Sequence, residues 1–209
     1  MKKYFFPLLI LLAIISLECK AQTFAVDTAR LNKAYRELMR QPKNIKLQKA
    51  YFDAFPNTWN EFISTYQYSP RKGYDLTMYR LAPDHIDALA TRVNQINDTI
   101  YCRKLVDVSV GGMHSADAPN YLGEALHKVM WKKMDVMLYV ISQMRRGHQM
   151  QFWQFYWSNC VPSEPLEAEY KRMLKLNEDF FPKEMKIMKI AYEYFYDGVN
   201  IDGGYLEED

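Results

Sequence analysis

Four histidines, His85, His114, His127 and His148, are the natural starting points for chemistry in this chain. His114 stands with Ser115 and Asp117 just after Gly111-Gly112, the one short stretch that gathers a base, a hydroxyl and an acid. Nucleophilic hydrolysis needs those three types, but converging from separate elements and facing a pair of donors for the oxyanion. Neighbours along a single helix connection do not meet that condition by spacing alone. Ser115 or Asp117 fits equally as the N-cap of the helix that follows. His127 closes a Glu124-x-x-His127 pair, half of the motif of carboxylate-bridged di-iron bundles, which use it twice with two further glutamates around one pocket. Ala82, Gly111 and Arg145 stand three residues before the other histidines, so the second copy is missing and no metal site is expected. The sequence carries no phosphate-binding loop, nucleophile elbow, dinucleotide fingerprint or His-Glu-x-x-His. Neither a catalytic residue nor a cofactor follows from these patterns.

A second candidate is aromatic. Phe152-Trp153-Gln154-Phe155-Tyr156-Trp157 places five aromatic residues in six. On a helix, Trp153, Tyr156 and Trp157 share one face, with Phe152 and Phe155 beside it. Such a face can stack on a sugar ring or anchor a partner, and the same pattern also packs a core. The candidate binding residues are therefore Trp153, Tyr156 and Trp157, with His114 and Asp117 in the neighbouring loop. Cys102 and Cys160 form a possible disulfide if the chain meets an oxidising compartment, closing a loop of about 58 residues; the alternative is two separate buried thiols.

The N-terminus indicates such a compartment. Lys2 and Lys3 precede an apolar run from Tyr4 to Leu17, and Cys19-Lys20-Ala21 supplies small residues at the positions before a cut. This is the layout of a secretory signal peptide over residues 1–21, with cleavage after Ala21. The run is shorter than the roughly 20 residues that span a bilayer. Lipid anchoring through Cys19 is less favoured, because Glu18 stands where a small residue is needed. The expected location is the periplasm or the cell surface, with no transmembrane segment in the mature chain.

Elements able to position these residues are helical throughout. Only 8 Gly and 9 Pro in 209 residues, with 49% apolar and 15% aromatic content, exclude disorder and disfavour an all-β chain. The near balance of 27 basic and 25 acidic side chains gives no electrostatic reason to expect nucleic acid. Removing Lys2, Lys3, Glu18 and Lys20 brings the mature chain to neutrality. Lys132, Lys133, Lys183, Lys186 and Lys189 read as solvated faces of amphipathic helices.

Leu31, Ala34, Tyr35 and Leu38 mark a first helical stripe, and Leu47, Tyr51, Ala54 and Phe55 a second. Thr58 and Glu61 form a capping box ahead of a third. Ile86, Leu89, Val93, Ile96 and Ile100 predict one long helix with Pro83 in its first turn, ending at Gly111-Gly112. Another is predicted from about Pro119 to Arg146 with Gly147 as its C-cap, and further stripes follow Pro165 and Pro182. The prediction is an all-α fold: a single bundle-like domain of about seven or eight helices over 22–198, followed by an acidic tail over 199–209.

Four stretches also carry a resemblance. They are Phe55-Pro56-Asn57-Thr58-Trp59-Asn60-Glu61-Phe62 with Tyr68, Lys104 to Gly112, Asp117-Ala118-Pro119-Asn120-Tyr121, and Phe152 to Tyr156. Together they resemble a group of exported helical proteins from Bacteroidota, and the Ala21-Gln22 junction is similar to signal-peptide cleavage sites of that phylum. The group has no assigned activity, so the resemblance implies export and helices but no catalytic residue. Ser158-Asn159-Cys160 departs from the Asp-Gly turn the resemblance leads one to expect. It also implies O-glycosylation within Asp27-Thr28-Ala29 and Asp98-Thr99-Ile100, at Thr28 and Thr99.

The expected function is a non-enzymatic binding or interaction module for a protein or small-molecule partner. The alternatives are a hydrolase-type enzyme with a loop site around Gly111–Asp117, with Asp107 or His127 nearby, and a periplasmic immunity or inhibitor protein.

Overall fold

The computed structural model describes residues 26–71, 75–113, 117–158 and 164–197, apart from the side chains of 196 and 197. The signal segment with Cys19 and Ala21, and also His114, Cys160 and the acidic tail, lie outside the described residues. Ten α-helices and no strand are present among the described residues: α1 Thr28–Arg40, α2 Ile45–Ala54, α3 Trp59–Tyr66, α4 Thr77–Arg92, α5 Asp98–Ser109, α6 Asp117–Lys132, α7 Met134–Ser142, α8 Arg146–Ser158, α9 Glu164–Asn177 and α10 Pro182–Asp197. None of them is long and apolar enough to cross a membrane.

Local sequence sets several of these boundaries directly. Asp27 caps α1 by accepting from the Arg30 amide at 2.9 Å, and Asn44 caps α2 through the Lys46 and Leu47 amides. Helix α2 stops at Phe55-Pro56, where proline disfavours helical backbone in the preceding residue. Thr58 Oγ1 accepts from the Glu61 amide at 3.2 Å, and Glu61 Oε2 accepts in return from the Asn57 amide at 2.6 Å. The reciprocal half of the box thus reaches one residue further back than the usual pattern. Replacing Thr58 by Ala leaves the Glu61 amide without its cap and is expected to cost about 1 kcal/mol. Thermal unfolding followed by circular dichroism should show a fall in Tm of about 2–4 °C.

Ten helices replace the predicted seven or eight because two long apolar patterns are each divided. Helix α4 begins at Thr77, which puts Pro83 inside it, and it ends at Arg92. Val93 is buried, but Ile100 is 57% exposed and belongs to α5. What interrupts the pattern is a buried glutamine from elsewhere. Gln48 Oε1 accepts from the Asn94 and Gln95 amides at 2.9 Å each, while its Nε2 donates to the Pro42 carbonyl at 2.8 Å. Asn97 then caps α5 by accepting from the Thr99 and Ile100 amides.

The predicted helix from Pro119 to Arg146 breaks at Lys133, whose backbone leaves the helical region, and again at Gln143. Neither break carries Gly or Pro. Gly147 sits in the first turn of α8 and caps nothing. Leu105, Val106 and Val108 are helical and buried in α5.

The helices pack as α1 on α2, α4 along α6, α5 along α7, and α8 along α10. The buried apolar residues form one continuous cluster. Gly111 ends α5 at φ 78°, a conformation that favours glycine. At Gly112 a Cβ would stand 2.5 Å from Phe155 Cδ2, so the α5–α6 connection crosses the aromatic helix at backbone contact.

Candidate functional site

The aromatic face is interior. Trp153, Tyr156 and Trp157 are all fully buried, as are Phe152 and Phe155. Trp157 meets Tyr156 at 4.8 Å between ring centroids, Tyr192 of α10 at 5.2 Å and Tyr170 of α9 at 6.1 Å. Tyr170 and Tyr192 stack at 3.9 Å with nearly parallel rings. These faces are consumed by helix packing and offer nothing to a partner from solvent, which corrects their expected role as a binding platform.

Asp117 is exposed in the first turn of α6, where its carboxylate accepts from the Tyr79 hydroxyl of α4. An acid there complements the amides of the helix start. Its sequence neighbour His114 is outside the described residues. A depression of about 350 Å³ is lined by Gly112, Met113, Gln154, Ser158, Tyr194 and Phe195. Its described lining includes neither a carboxylate nor an imidazole.

Cys102 is buried in α5, and burial pushes its thiol up to about 11. Its suggested partner Cys160 is outside the described residues. Thr28 and Thr99 lie in the first turns of α1 and α5, half-buried and exposed respectively. Among the described residues, no group of three His, Cys, Asp or Glu side chains is placed to hold a metal ion.

The structure assembles a different cluster. His127 of α6 does not pair with Glu124, which is exposed, but with Glu169 of α9. Glu169 Oε1 accepts from His127 Nδ1–H at 3.1 Å, from Trp131 Nε1–H at 3.0 Å and from the Tyr156 hydroxyl at 2.9 Å. One turn of α6 supplies both His127 and Trp131, because residues four apart share a face. On its other side, His127 Nε2 lies 3.1 Å from the Tyr156 carbonyl oxygen. A carboxylate and a carbonyl only accept, so each ring nitrogen of His127 faces an acceptor. The Tyr156 carbonyl belongs to the last turn of α8, where the helix dipole favours a cation. Burial alone would raise the Glu169 carboxyl, but the hydrogen bonds from His127 and Trp131, the His127 charge and the Tyr156 hydroxyl together hold it below the usual carboxylate range.

Beside this cluster a depression of about 360 Å³ is lined by Trp131, Pro165, Ala168, Glu169 and Arg172. The Arg172 guanidinium lies over the Trp131 ring at 4.7 Å. The Glu169 side chain keeps 24% of its surface accessible, and its second oxygen has no hydrogen-bond partner among the described residues.

Sequence reasoning missed this cluster because Glu169 lies 42 residues beyond His127 and nothing local links them. The one available signal was Glu169 and Arg172 three apart on a helix whose apolar stripe runs elsewhere. The chain matches no protein-family model, no curated protein and no solved structure.

Proposed function

We propose that this protein is an exported helical binding module, acting in the periplasm or at the cell surface, that holds a protein or small-molecule partner without chemistry of its own. The n-region, apolar run and Ala21 junction support export. The observation that carries the binding reading is the division of labour around Glu169. The groups that could move a proton, His127 and the Tyr156 hydroxyl, are committed to fixed acceptors inside the fold. A histidine serving as a general base needs a ring nitrogen turned toward its substrate, and both His127 nitrogens face acceptors within the fold. Facing solvent in the adjoining depression are Trp131, Arg172 and the accessible edge of Glu169. An aromatic and an arginine side by side are the residue types that dominate binding energy at interfaces.

The test is capture from the envelope fraction with wild type and with Arg172→Glu. Arg172 is exposed, so the variant should retain the wild-type melting curve while losing the partner about tenfold or more. Equal capture by both proteins would remove the site from the proposal. Multiple-turnover hydrolysis of model esters or peptides by the purified chain would replace binding with the enzyme alternative.

A further inference from the structure

His85, which the function above leaves unused, occupies the junction of four helices. Its side chain, in the middle of α4, is fully buried. Tyr35 of α1 lies 4.5 Å away between ring centroids, Tyr66 of α3 5.9 Å and Tyr51 of α2 6.1 Å. The Tyr66 hydroxyl is 3.0 Å from His85 Nδ1. The Tyr51 hydroxyl donates to the His85 backbone carbonyl at 2.6 Å. His85 Nε2 is buried with no hydrogen-bond partner among the described residues. One histidine thus anchors the inward faces of α1, α2 and α3 on α4 while keeping one nitrogen unsatisfied.

Protonation changes this arrangement in a defined way. A neutral ring needs one donor and one acceptor, and the Tyr66 hydroxyl serves Nδ1 in either sense. A charged ring has two N–H donors, and the one on Nε2 points at no acceptor. The tyrosine rings attract a cation through their faces, but they neither accept a hydrogen bond well nor replace its hydration. Among the described residues no carboxylate offsets the charge. Asp84 and Asp87, which flank His85 on α4, act on Tyr35 instead. From α1, α2 and α3 the groups that meet the ring are the phenols Tyr35, Tyr51 and Tyr66, and the last two are themselves held protonated by burial. From α6 no titratable group acts on the ring, and burial alone moves it, down from 6.5 to about 4.

We propose that His85 is an acid-operated latch whose protonation releases α1, α2 and α3 from α4 while the helices from α5 onward stay packed. The contacts of α1 support opening on one side, since α1 packs only on α2 and α4 among its main neighbours. Helix α2 has a second hold on the body through the Lys104 ammonium of α5, which caps it at the Phe52 and Phe55 carbonyls. That amine is pulled down to about 8 by burial, so it is fully charged in acid and does not release there. It becomes the pivot on which the first two helices swing.

The sign follows from the direction of the shift. A histidine depressed in the folded state stabilises fully above its ordinary value and progressively less as the pH falls toward the native one. Between pH 7.5 and 4.5 the opening constant for α1 to α3 should therefore rise roughly 70-fold.

The experiment is hydrogen exchange with mass spectrometry on the full chain at both pH values, read as protection factors. The expected result is a large loss of protection in peptides of α1, α2 and α3 at pH 4.5, with α8 and α10 unchanged, and no such loss in His85→Gln or His85→Phe. Persistence of the acid opening in a folded variant would overturn the latch, as would loss of protection confined to α6, α8 and α9, which would assign acid sensitivity to Glu169. If neither variant folds, nitrogen chemical shifts of His85 in the wild type decide it. Titration near 6.5 with the fold intact would equally end the proposal.

Discussion

Glu169→Ala should destabilise the fold by about 2–4 kcal/mol at neutral pH, although the residue lies at the edge of a surface depression. The cost comes from what the carboxylate leaves behind. His127, with a side chain 18% exposed, would keep the Tyr156 carbonyl but lose its carboxylate partner. Trp131 Nε1–H and the Tyr156 hydroxyl would each lose their acceptor, and Tyr156 is too deeply buried for water to replace it readily. Each orphaned donor costs on the order of 1–3 kcal/mol when buried, and partial exposure around His127 and Trp131 places the sum below that of a fully buried ion pair.

Urea unfolding should show a lower midpoint with an unchanged slope, since the surface exposed on unfolding is the same. Glu169→Gln keeps an acceptor oxygen and should lose about half as much. The carboxyl is lowered in the native state, so its contribution is present above the ordinary carboxylate value and lost as the pH falls through the native one. Wild type and Glu169→Gln should therefore converge in stability in strong acid. A Glu169→Ala protein as stable as wild type at pH 7 would show that the cluster is incidental to the fold.

This cluster also marks the limit of reading the chain as a string. The start of α3 was legible from Thr58 and Glu61, because the capping bond closes within three residues. Helix breaks were legible where proline or glycine forces them, at Pro56 and Gly111. They were not legible at Val93–Asn97, where the backbone is held by a partner far away in sequence, or at Lys133, where no glycine or proline marks the break. Gln48 reaches the first across 46 residues, and the second lies between α6 and the packing of α7 on α5. The same holds for the site. Asp117 and the aromatic run stood out by residue type, but burial is a property of assembly, and assembly put the aromatic rings inside. His127 was singled out for the wrong partner, since helical spacing offers Glu124 while the fold supplies Glu169.

Trp157→Ala is expected to cost about 3–5 kcal/mol, the range for deleting a large aromatic side chain from a core. Trp157 is fully buried and lies against rings from three helices: Trp153 and Tyr156 of α8, Tyr170 of α9 and Tyr192 of α10. Removing it opens a cavity that stacked neighbours cannot close without separating α8 from α10. At roughly 2–4 °C per kcal/mol for a domain of this size, Tm should fall by about 6–20 °C. Trp157→Phe isolates the cause. The indole N–H is buried without a partner among the described residues, so the substitution removes an unsatisfied donor while giving up part of the volume, and these effects oppose each other. It should cost less than about 1.5 kcal/mol. A binding face would behave in the opposite way, with both variants keeping the wild-type melt and losing only a partner. Denaturation curves of the two variants side by side therefore distinguish a packed aromatic core from a recognition surface. A stable Trp157→Ala would restore the surface reading that burial argues against.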